Sequence, residues 1–270
     1  MPREVRMGID VGGTHTKAVA IDNATHEIIG ESIVKTTHSD KMGVAAGVIA
    51  CFKDCLSKYD IAPEEVVFIA HSTTQATNAL IEGDVAPVGI IGMGKGGLEG
   101  MLAKNQTRIP DIDLGSGRFI HCNHTYIPLK QLTREQVEQE LEQLTAAGSR
   151  VIVASKAFGV DSLDEEDLVR EVAQTHGIPV TMASEISKLY GLTRRTRTAS
   201  INASILPKML NTANSTEESV RAVGIHVPLM IMRGDGGVME LSEMRKRPVL
   251  TMLSGPAASV VGALMYLRAS

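Results

Sequence analysis

The chain has 270 residues, a formal net charge of −4 at pH 7, 43% hydrophobic residues and 21% charged residues, which is the profile of a globular protein with a sizeable core. Its mild acidity and its 3% of aromatic residues, with no tryptophan, argue against nucleic acid as a partner. It lacks an apolar run near the roughly 20 residues that span a bilayer, and its N-terminus shows no signal-peptide core, so we expect no membrane partner and a cytoplasmic location.

The first predicted elements are three strands. Residues 5–11 are largely apolar, residues 17–22 alternate between two faces, and residues 27–35 follow a similar pattern. Three strands in quick succession predict an antiparallel meander, with Gly12 and Gly13 at its first turn.

A helix is predicted over residues 41–58 by its apolar periodicity. Cys51 and Cys55 lie four residues apart on its apolar stripe, which favours core packing over metal binding. With Cys122 they make three cysteines, a small and odd number that argues against a disulfide framework. The sequence HCNH (121–124) lies in a polar stretch without an evident further ligand, so we expect no metal site there.

Strands and helices then alternate along the chain. VVFIA (66–70) predicts a buried strand that leads through HSTTQATNAL into a helix, and APVGIIGM (86–93) predicts a strand that ends at the glycine-rich GKGGLEG. Residues 104–126 are polar, contain Pro110 and two glycines, and are predicted to be irregular.

Two capped helices are predicted next. TREQ is a capping box that opens a helix with one apolar face, formed by Val137, Leu141 and Leu144. Strands predicted at 150–155 and 178–184 flank a second helix, which begins at SLDE. This alternation predicts the α/β class with a partly parallel sheet.

The texture of the sequence changes after residue 184. A long helix is predicted through RRTRTASINASILPKML, followed by a separate capped helix at STEESV. The basic residues Arg194, Arg195 and Arg197 are predicted to form a solvated helix face. VPLMIM (227–232) predicts a further strand, and the glycine turn RGDGGV follows it.

The stretch GIDVGGTHTK carries the clearest chemical signal, and we call its residues 10–17 the glycine hairpin. Glycine side chains leave room for backbone N–H groups to approach a phosphate, and successive N–H groups in a tight turn form an anion-binding nest. We therefore expect a phosphate site in which the glycine backbone donates N–H groups, the threonines donate hydroxyl groups and the lysine adds a positive charge. The candidate residues are Gly12, Gly13, Thr14, Thr16 and Lys17. The alternative is a purely structural β-hairpin with a glycine turn.

Asp10 precedes the glycines at the end of the first predicted strand. A carboxylate would not face a phosphate directly, but it suits Mg²⁺, which keeps part of its water shell. Asp10 is therefore the candidate metal residue. The spacing is not that of a Walker loop, and a strand rather than a helix follows the glycines, which excludes a Rossmann fingerprint.

Two further groups of residues are candidates for a substrate or nucleotide site. Thr74 and Asn78 follow a buried strand, where α/β folds place ligands; helix capping is the alternative. Ser254 and Gly255 precede a proline at a predicted helix start, which is a common anion-binding arrangement; simple capping is again the alternative.

The glycine hairpin resembles the first phosphate loop of the actin-like ATPase fold, which sugar kinases, actin and heat-shock chaperones share. HSTTQATNALIEG, ASEISKLYGLTRRTRTASINASILPKM and MRGDGGVMELSEMRKRPVLTMLSGPAASVVGA together resemble the hydantoinase A/5-oxoprolinase family. The resemblance implies an α/β, ribonuclease H-like or actin-like fold. It places the N-terminal half of that fold in residues 1–184 and the beginning of a second, incomplete domain in residues 185–270.

The resemblance also implies an activity: ATP-dependent opening of a small cyclic amide, such as a hydantoin or 5-oxoproline, through a phosphorylated intermediate, with ATP and Mg²⁺ as cofactors. Some relatives are ATP-using subunits of carboxylases that act on ketones. Asp10 and Asp235 are then the candidate catalytic residues.

The sequence departs from the family pattern at three positions. Lys17 stands where the family commonly has aspartate, His15 replaces an aromatic residue, and Gly234 removes a hydroxyl. The lysine variant also resembles pantothenate-kinase-like enzymes. A small-molecule kinase and a non-catalytic nucleotide-binding subunit therefore stay open as alternatives.

Relatives carry a second DxGGT-type loop some tens of residues after SGPAA, whereas this sequence ends at Ser270. We therefore expect the other half of the ATP site on a longer protein or on a partner subunit, in a homo- or hetero-oligomer. For the same reason we expect little ATP turnover from the chain alone.

Overall fold

The computed structural model describes residues 3–12, 14–37, 44–115 and 117–269. The strands are Val5–Val11 (β1), His15–Asp22 (β2), Ile28–Lys35 (β3), Val66–Thr73 (β4), Val88–Gly94 (β5), Ile112–Gly115 (β6), Arg118–Ile120 (β7), Cys122–Pro128 (β8), Val151–Lys156 (β9), Val180–Met182 (β10), Leu229–Met232 (β11) and Val238–Glu240 (β12). The helices are Val44–Lys58 (α1), Gln75–Glu82 (α2), Gly97–Thr107 (α3), Arg134–Ala146 (α4), Asp164–Thr175 (α5), Ala183–Ile186 (α6), Leu192–Ala222 (α7), Leu241–Met244 (α8) and Ser254–Ala269 (α9).

The chain forms two compact units. Unit 1 comprises Met1–Thr77 and Met209–Ser270, and unit 2 comprises Asn78–Lys208. The boundary expected after residue 184 separates two family regions rather than two compact bodies, and it stays a prediction. Within the described residues, the structure contains no helix that is both long and apolar enough to cross a membrane.

Unit 1 is built on a mixed six-stranded sheet with the order β12-β11-β4-β1-β2-β3. β1, β2 and β3 pair antiparallel, which confirms the predicted meander, while β4 runs parallel to both β1 and β11. α1 packs on β2 and β3. Cys51 and Cys55 of α1 are fully buried, as their place on the apolar stripe predicts.

Unit 2 contains a fully parallel four-stranded sheet with the order β10-β9-β5-β8 and a separate β6–β7 hairpin. The prediction that residues 104–126 are irregular is wrong: the end of α3, the hairpin and most of β8 occupy them. β8 was not predicted because it is a polar edge strand and lacks the apolar pattern of a buried strand. The predicted apolar face of α4, formed by Val137, Leu141 and Leu144, is buried in the core.

α7 runs without interruption for 31 residues through Pro207, so the prediction of two separate helices is wrong. The solvated basic face is only partly correct, since Arg194 and Arg197 are exposed whereas Arg195 is 1% exposed. The Arg195 guanidinium donates to the carbonyl oxygens of Leu189 at 2.7 Å and Lys156 at 2.6 Å. A buried arginine therefore ties α7 to the end of β9.

Glu166 on α5 is a buried acid whose negative charge acts on Arg195. Its carboxylate accepts the backbone N–H of Lys156 at 2.9 Å, the backbone N–H of Ser184 at 3.0 Å and the Ser184 hydroxyl at 2.9 Å. Burial raises the pKa of Glu166, while these hydrogen bonds and Arg195 lower it. Glu166 thereby connects the end of β9 to Ser184, which follows β10.

Candidate functional site

The candidate site of unit 1 lies where three parallel strands end. β1, β4 and β11 run side by side in the same direction, so their C-terminal ends meet at one edge of the sheet, which we call the carboxyl edge. The glycine hairpin follows β1, α2 follows β4, and the turn at Arg233–Gly237 follows β11. Open sheets with parallel strands bind ligands at this kind of edge.

The turn of the glycine hairpin is closed by a backbone hydrogen bond from the Gly12 N–H to the His15 carbonyl oxygen, at 3.1 Å. A Cβ atom on Gly12 would lie 3.1 Å from that same oxygen, a tighter approach than side chains normally make. Glycine is therefore favoured here by the close packing of the turn. The second predicted glycine, Gly13, lies outside the described residues.

The two threonines of the hairpin are placed differently. Thr14 is exposed at the turn, where its hydroxyl lies 3.1 Å from His15 Nδ1. Thr16 is fully buried, and its hydroxyl lies 3.2 Å from the hydroxyl of Thr36. Only Thr14 thus presents its hydroxyl at the surface, whereas Thr16 is part of the support beneath the loop.

Asp10 lies between Lys17 of β2 and Ser72 of β4 in the sheet register, so the three side chains share one face at the carboxyl edge. The carboxyl group of Asp10 is exposed to solvent. Partial burial by its neighbours raises its pKa, and the Lys17 ammonium and the Ser72 hydroxyl lower it. Asp10 and Lys17 are thus exposed cross-strand neighbours of opposite charge.

The donor set at the carboxyl edge fits a hydrated Mg²⁺ ion. Mg²⁺ is usually bound by one or two carboxylates together with substrate phosphates and water, and Asp10 supplies an exposed carboxylate next to the glycine turn. Among the described residues, no group of three or more His, Cys, Asp or Glu side chains forms a protein-only metal cage. The fit is therefore to a shared ion rather than to a structural one.

The end of β4 is tied to the start of α9 by two hydrogen bonds. The Ser254 hydroxyl donates to the Thr73 carbonyl oxygen at 3.0 Å, and the Leu253 N–H donates to the Thr77 hydroxyl at 3.2 Å. Ser254 is buried and its proton is used within the fold. An anion at this helix start would therefore meet backbone N–H groups rather than the serine proton.

The remaining candidates of this region fall on both sides of the unit boundary. Thr74 lies between β4 and α2, half-buried, and a Cβ atom on Gly255 would lie 3.9 Å from its Cγ2 atom. Thr74 and Gly255 are thus neighbours in unit 1. Asn78 lies on α2 at the first residue of unit 2.

Asp235 sits in the turn that joins β11 to β12. Its carboxylate accepts the Gly237 N–H at 3.0 Å and pairs with the Arg233 guanidinium. The Gly237 hydrogen bond and the Arg233 charge lower its pKa. Gly236 has φ of +86°, a conformation that favours glycine. Asp235 is therefore an ionised, exposed carboxylate in the turn after β11, which is separated from β1 by β4.

Two residues near the hairpin were not predicted from the sequence. Ser72 is the β4 neighbour of Asp10, and its position directly after a buried apolar run was the available signal. Thr36 follows β3 and contacts the hairpin from the far strand. The pairing of β2 with β3 was predicted, but its register was needed to bring Thr36 beside Gly12.

Comparison with known proteins places these features in a family context. The family model described as the hydantoinase/oxoprolinase N-terminal region matches residues 6–177, and the model described as hydantoinase/oxoprolinase matches residues 195–270. The acetophenone carboxylase gamma subunit of Aromatoleum aromaticum is 24% identical over 96% of this chain. An uncharacterized protein of Methanocaldococcus jannaschii is 23% identical over 97% of this chain.

Two solved structures share the fold. A nucleotide-free acetone carboxylase matches 97% of this chain with a TM-score of 0.70 and 21% identity, and the ATP-dependent caprolactamase from Pseudomonas jessenii matches 93% with a TM-score of 0.62 and 20% identity. The predicted fold class is thereby confirmed. The chain spans 38% and 40% of the length of the two curated relatives, and 40% and 39% of the two solved chains.

Proposed function

Because the chain belongs to the hydantoinase/oxoprolinase family, we propose that it supplies one side of an ATP site, with the glycine hairpin at the phosphates and Asp10 at the metal. The observation that carries the proposal is the position of Asp10, exposed at the ends of parallel strands, beside Lys17 and directly before the glycine turn. A purely structural hairpin does not require oppositely charged side chains next to each other at the sheet edge.

The roles divide by chemistry. Backbone N–H groups of the turn and the Thr14 hydroxyl donate to phosphate oxygens, and the Lys17 ammonium offsets their negative charge. Asp10 holds Mg²⁺ through its water shell. When bound, Mg²⁺ neutralises charge on the phosphoryl group that is transferred. Asp235 provides a second carboxylate near the reacting groups, and Thr74, Asn78, Ser254 and Gly255 are proposed to contact substrate or nucleotide.

We propose a small cyclic amide, of the hydantoin or 5-oxoproline class, as the substrate. The γ-phosphoryl group of ATP would transfer to the amide oxygen: a P–O bond to that oxygen forms, the bond to the β–γ bridging oxygen breaks, and ADP leaves. Water then adds to the activated carbon and the ring C–N bond breaks, with a proton passing to the nitrogen, which leaves an acyl phosphate. A second water hydrolyses the acyl phosphate to a carboxylate and free phosphate. The two solved relatives, an ATP-dependent caprolactamase and an ATP-dependent acetone carboxylase, support activation of a carbonyl compound by ATP.

A further part of the site is proposed to come from outside this chain. The curated relatives are more than twice as long, and one of them is named as a gamma subunit. We therefore propose that the complete enzyme joins this chain to additional protein, either in one polypeptide or in a homo- or hetero-oligomer.

The test measures ADP, phosphate and organic products after incubation of the complete enzyme with Mg²⁺, ATP and a panel of lactams, hydantoins and pantothenate. A ring-opened product with free phosphate supports the hydrolase, whereas a phosphorylated product supports the small-molecule kinase. Nucleotide binding without turnover supports the non-catalytic subunit.

Asp10→Asn is the diagnostic variant because it removes the charge but hardly changes the side-chain size. Turnover should fall at least about a hundredfold, near 3 kcal/mol of transition-state stabilisation. Glu27→Gln is the matched control, since Glu27 is exposed at the opposite end of the meander and should leave turnover unchanged. If Asp10→Asn stayed within about threefold of the parent at saturating Mg²⁺, with the fold intact, Asp10 would be only a turn residue.

A further inference from the structure

Thr36 makes more contacts with the glycine hairpin than its place in the sequence suggests. It follows β3, two strands away from β1, and its hydroxyl donates to the Gly12 carbonyl oxygen at 2.8 Å. Its own N–H donates to the Thr14 carbonyl oxygen at 2.9 Å. Its hydroxyl oxygen lies 3.2 Å from that of Thr16. One residue thus holds three residues of the hairpin.

The direction of these hydrogen bonds follows from proton counting. A threonine hydroxyl has one proton, and that of Thr36 is given to the Gly12 carbonyl. The 3.2 Å contact is therefore made by the Thr16 hydroxyl, which donates to Thr36. The result is a chain from Thr16 through Thr36 to Gly12, in which each bond polarises the next.

This chain fixes the orientation of peptide groups in the hairpin. In a trans peptide the C=O and N–H groups point in opposite directions, and the described residues contain no cis peptide. The Thr36 hydroxyl holds the Gly12 carbonyl and the Thr36 N–H holds the Thr14 carbonyl, so two peptide groups of the turn are fixed in direction. Thr36→Val removes the first of these two restraints. The spread of N–H directions decides how well a turn binds an anion, so a residue that sets them acts on the anion without touching it.

We propose that Thr36 is a positioning residue for the phosphate-binding turn: it orders the backbone donors of the hairpin for the phosphates of a nucleotide. The proposal rests on the proposed function, because it assumes that the hairpin receives phosphate. Thr36 lies directly after the end of β3, and it hydrogen-bonds to Gly12, Thr14 and Thr16 of the hairpin.

The adjacent Thr37 provides a matched control. Its hydroxyl accepts the Gly47 N–H of α1 at 2.9 Å, so it serves a helix rather than the hairpin. Thr36→Val and Thr37→Val each remove one hydroxyl from neighbouring threonines and keep the β-branched shape. Both should lower the stability of the fold to a similar extent, but only one should change the hairpin.

The experiment measures the dissociation constants of Mg–ATP, Mg–ADP and adenosine with the complete enzyme. Thr36→Val should weaken Mg–ATP and Mg–ADP about tenfold, equivalent to about 1.4 kcal/mol, and leave adenosine unchanged. Thr36→Ser should restore the parent values, because it keeps the hydroxyl. Equal weakening by Thr36→Val and Thr37→Val, or no weakening by Thr36→Val, would overturn the proposal.

Amide hydrogen exchange separates this proposal from the proposed function. Without nucleotide, Thr36→Val should speed exchange of the Gly12 amide about tenfold relative to Thr37→Val, because the Gly12–His15 turn loses its support. If the parent enzyme bound no nucleotide, the proposed function would fail, and an unchanged exchange rate in Thr36→Val would independently overturn the positioning role. Faster exchange confined to Thr36→Val supports it.

Discussion

His71 makes the stability of unit 1 depend on pH. It lies on β4 with 1% of its surface exposed, beside Ile9 and Ile231 in the sheet register. Within the described residues neither ring nitrogen has a hydrogen-bond partner. Burial lowers its pKa from 6.5 to about 4, with a weaker opposing influence from the Ile9 backbone. The folded protein therefore holds a neutral ring at a pH where the unfolded chain takes up a proton.

The sign and size of the effect follow from linkage. Above pH 6.5 the ring is neutral in both states, so the full stability is present. Between pH 6.5 and about pH 4 only the unfolded chain binds the proton, and each pH unit removes about 1.4 kcal/mol of unfolding free energy. Across this window His71 alone should remove about 3 kcal/mol, a large share of the stability of an ordinary domain.

His71→Leu tests this reasoning because it has a similar volume and cannot be protonated. Urea unfolding of parent and variant at pH 7.5, 6.5, 5.5 and 4.5 gives the difference, in which the contributions of all other titrating groups cancel. The variant should be at least as stable as the parent at pH 7.5, since it buries no unpaired ring nitrogen. Its relative advantage should then grow by about 1.4 kcal/mol for each pH unit below 6.5.

His176→Gln serves as the control, because it also removes one histidine but at an exposed position outside the core. Parallel profiles for the parent and His71→Leu, within about 0.5 kcal/mol down to pH 4.5, would show that His71 is not buried in the neutral form.

Three further predictions concern the hairpin, the buried arginine and a glycine contact. Thr14→Ala should lower turnover of the complete enzyme by no more than about tenfold, because backbone donors remain; a hundredfold loss in a coupled assay of ADP release would contradict this. Arg195→Met should lower the unfolding free energy of unit 2 by about 3 kcal/mol in urea, since it leaves the Leu189 and Lys156 carbonyl oxygens without their guanidinium donor; an unchanged midpoint would refute it. Gly234→Ala should cost about 2 kcal/mol, because a Cβ atom there would lie 2.0 Å from a backbone carbonyl oxygen, whereas Gly8→Ala, with no atom within 4 Å, should be nearly neutral in the same titration.

The elements that could be predicted are those whose local pattern agrees with their tertiary role. The meander could be predicted because its strands are consecutive in the sequence. Helix α4 could be predicted because its capping residues and its apolar stripe indicate the same helix. Thr133 accepts the Gln136 N–H as the capping box requires. Cys51 and Cys55 are buried for the reason that their spacing gives.

The elements that were missed depend on partners distant in sequence. β8 carries polar residues, and its strand form comes from parallel pairing with β5. Arg195 looks like a surface residue until Glu166 and two backbone carbonyls are brought to it by the fold. STEESV predicts the start of a separate helix, yet α7 continues through it, because tertiary packing outweighs a local capping signal.

The same division applies to the candidate site. The acid–glycine–hydroxyl pattern identified Asp10 and the turn without any structure. The register of neighbouring strands is not contained in a single sequence. It is needed to see that Thr14 is exposed and Thr16 buried, that Ser72 lies beside Asp10, and that Thr36 contacts the hairpin.

Unit 1 is built from two segments that are separated in the chain, and this has a consequence for folding during translation. Leu229 of β11 pairs with Ile69 of β4, 160 positions earlier, and all of unit 2 is translated between them. Unit 2 is therefore complete as a chain while β4 still has an unpaired outer edge. Such an edge is a template for pairing with another nascent chain, so slow translation between residues 78 and 228 should favour aggregation, and chaperone binding during that interval should favour the native protein.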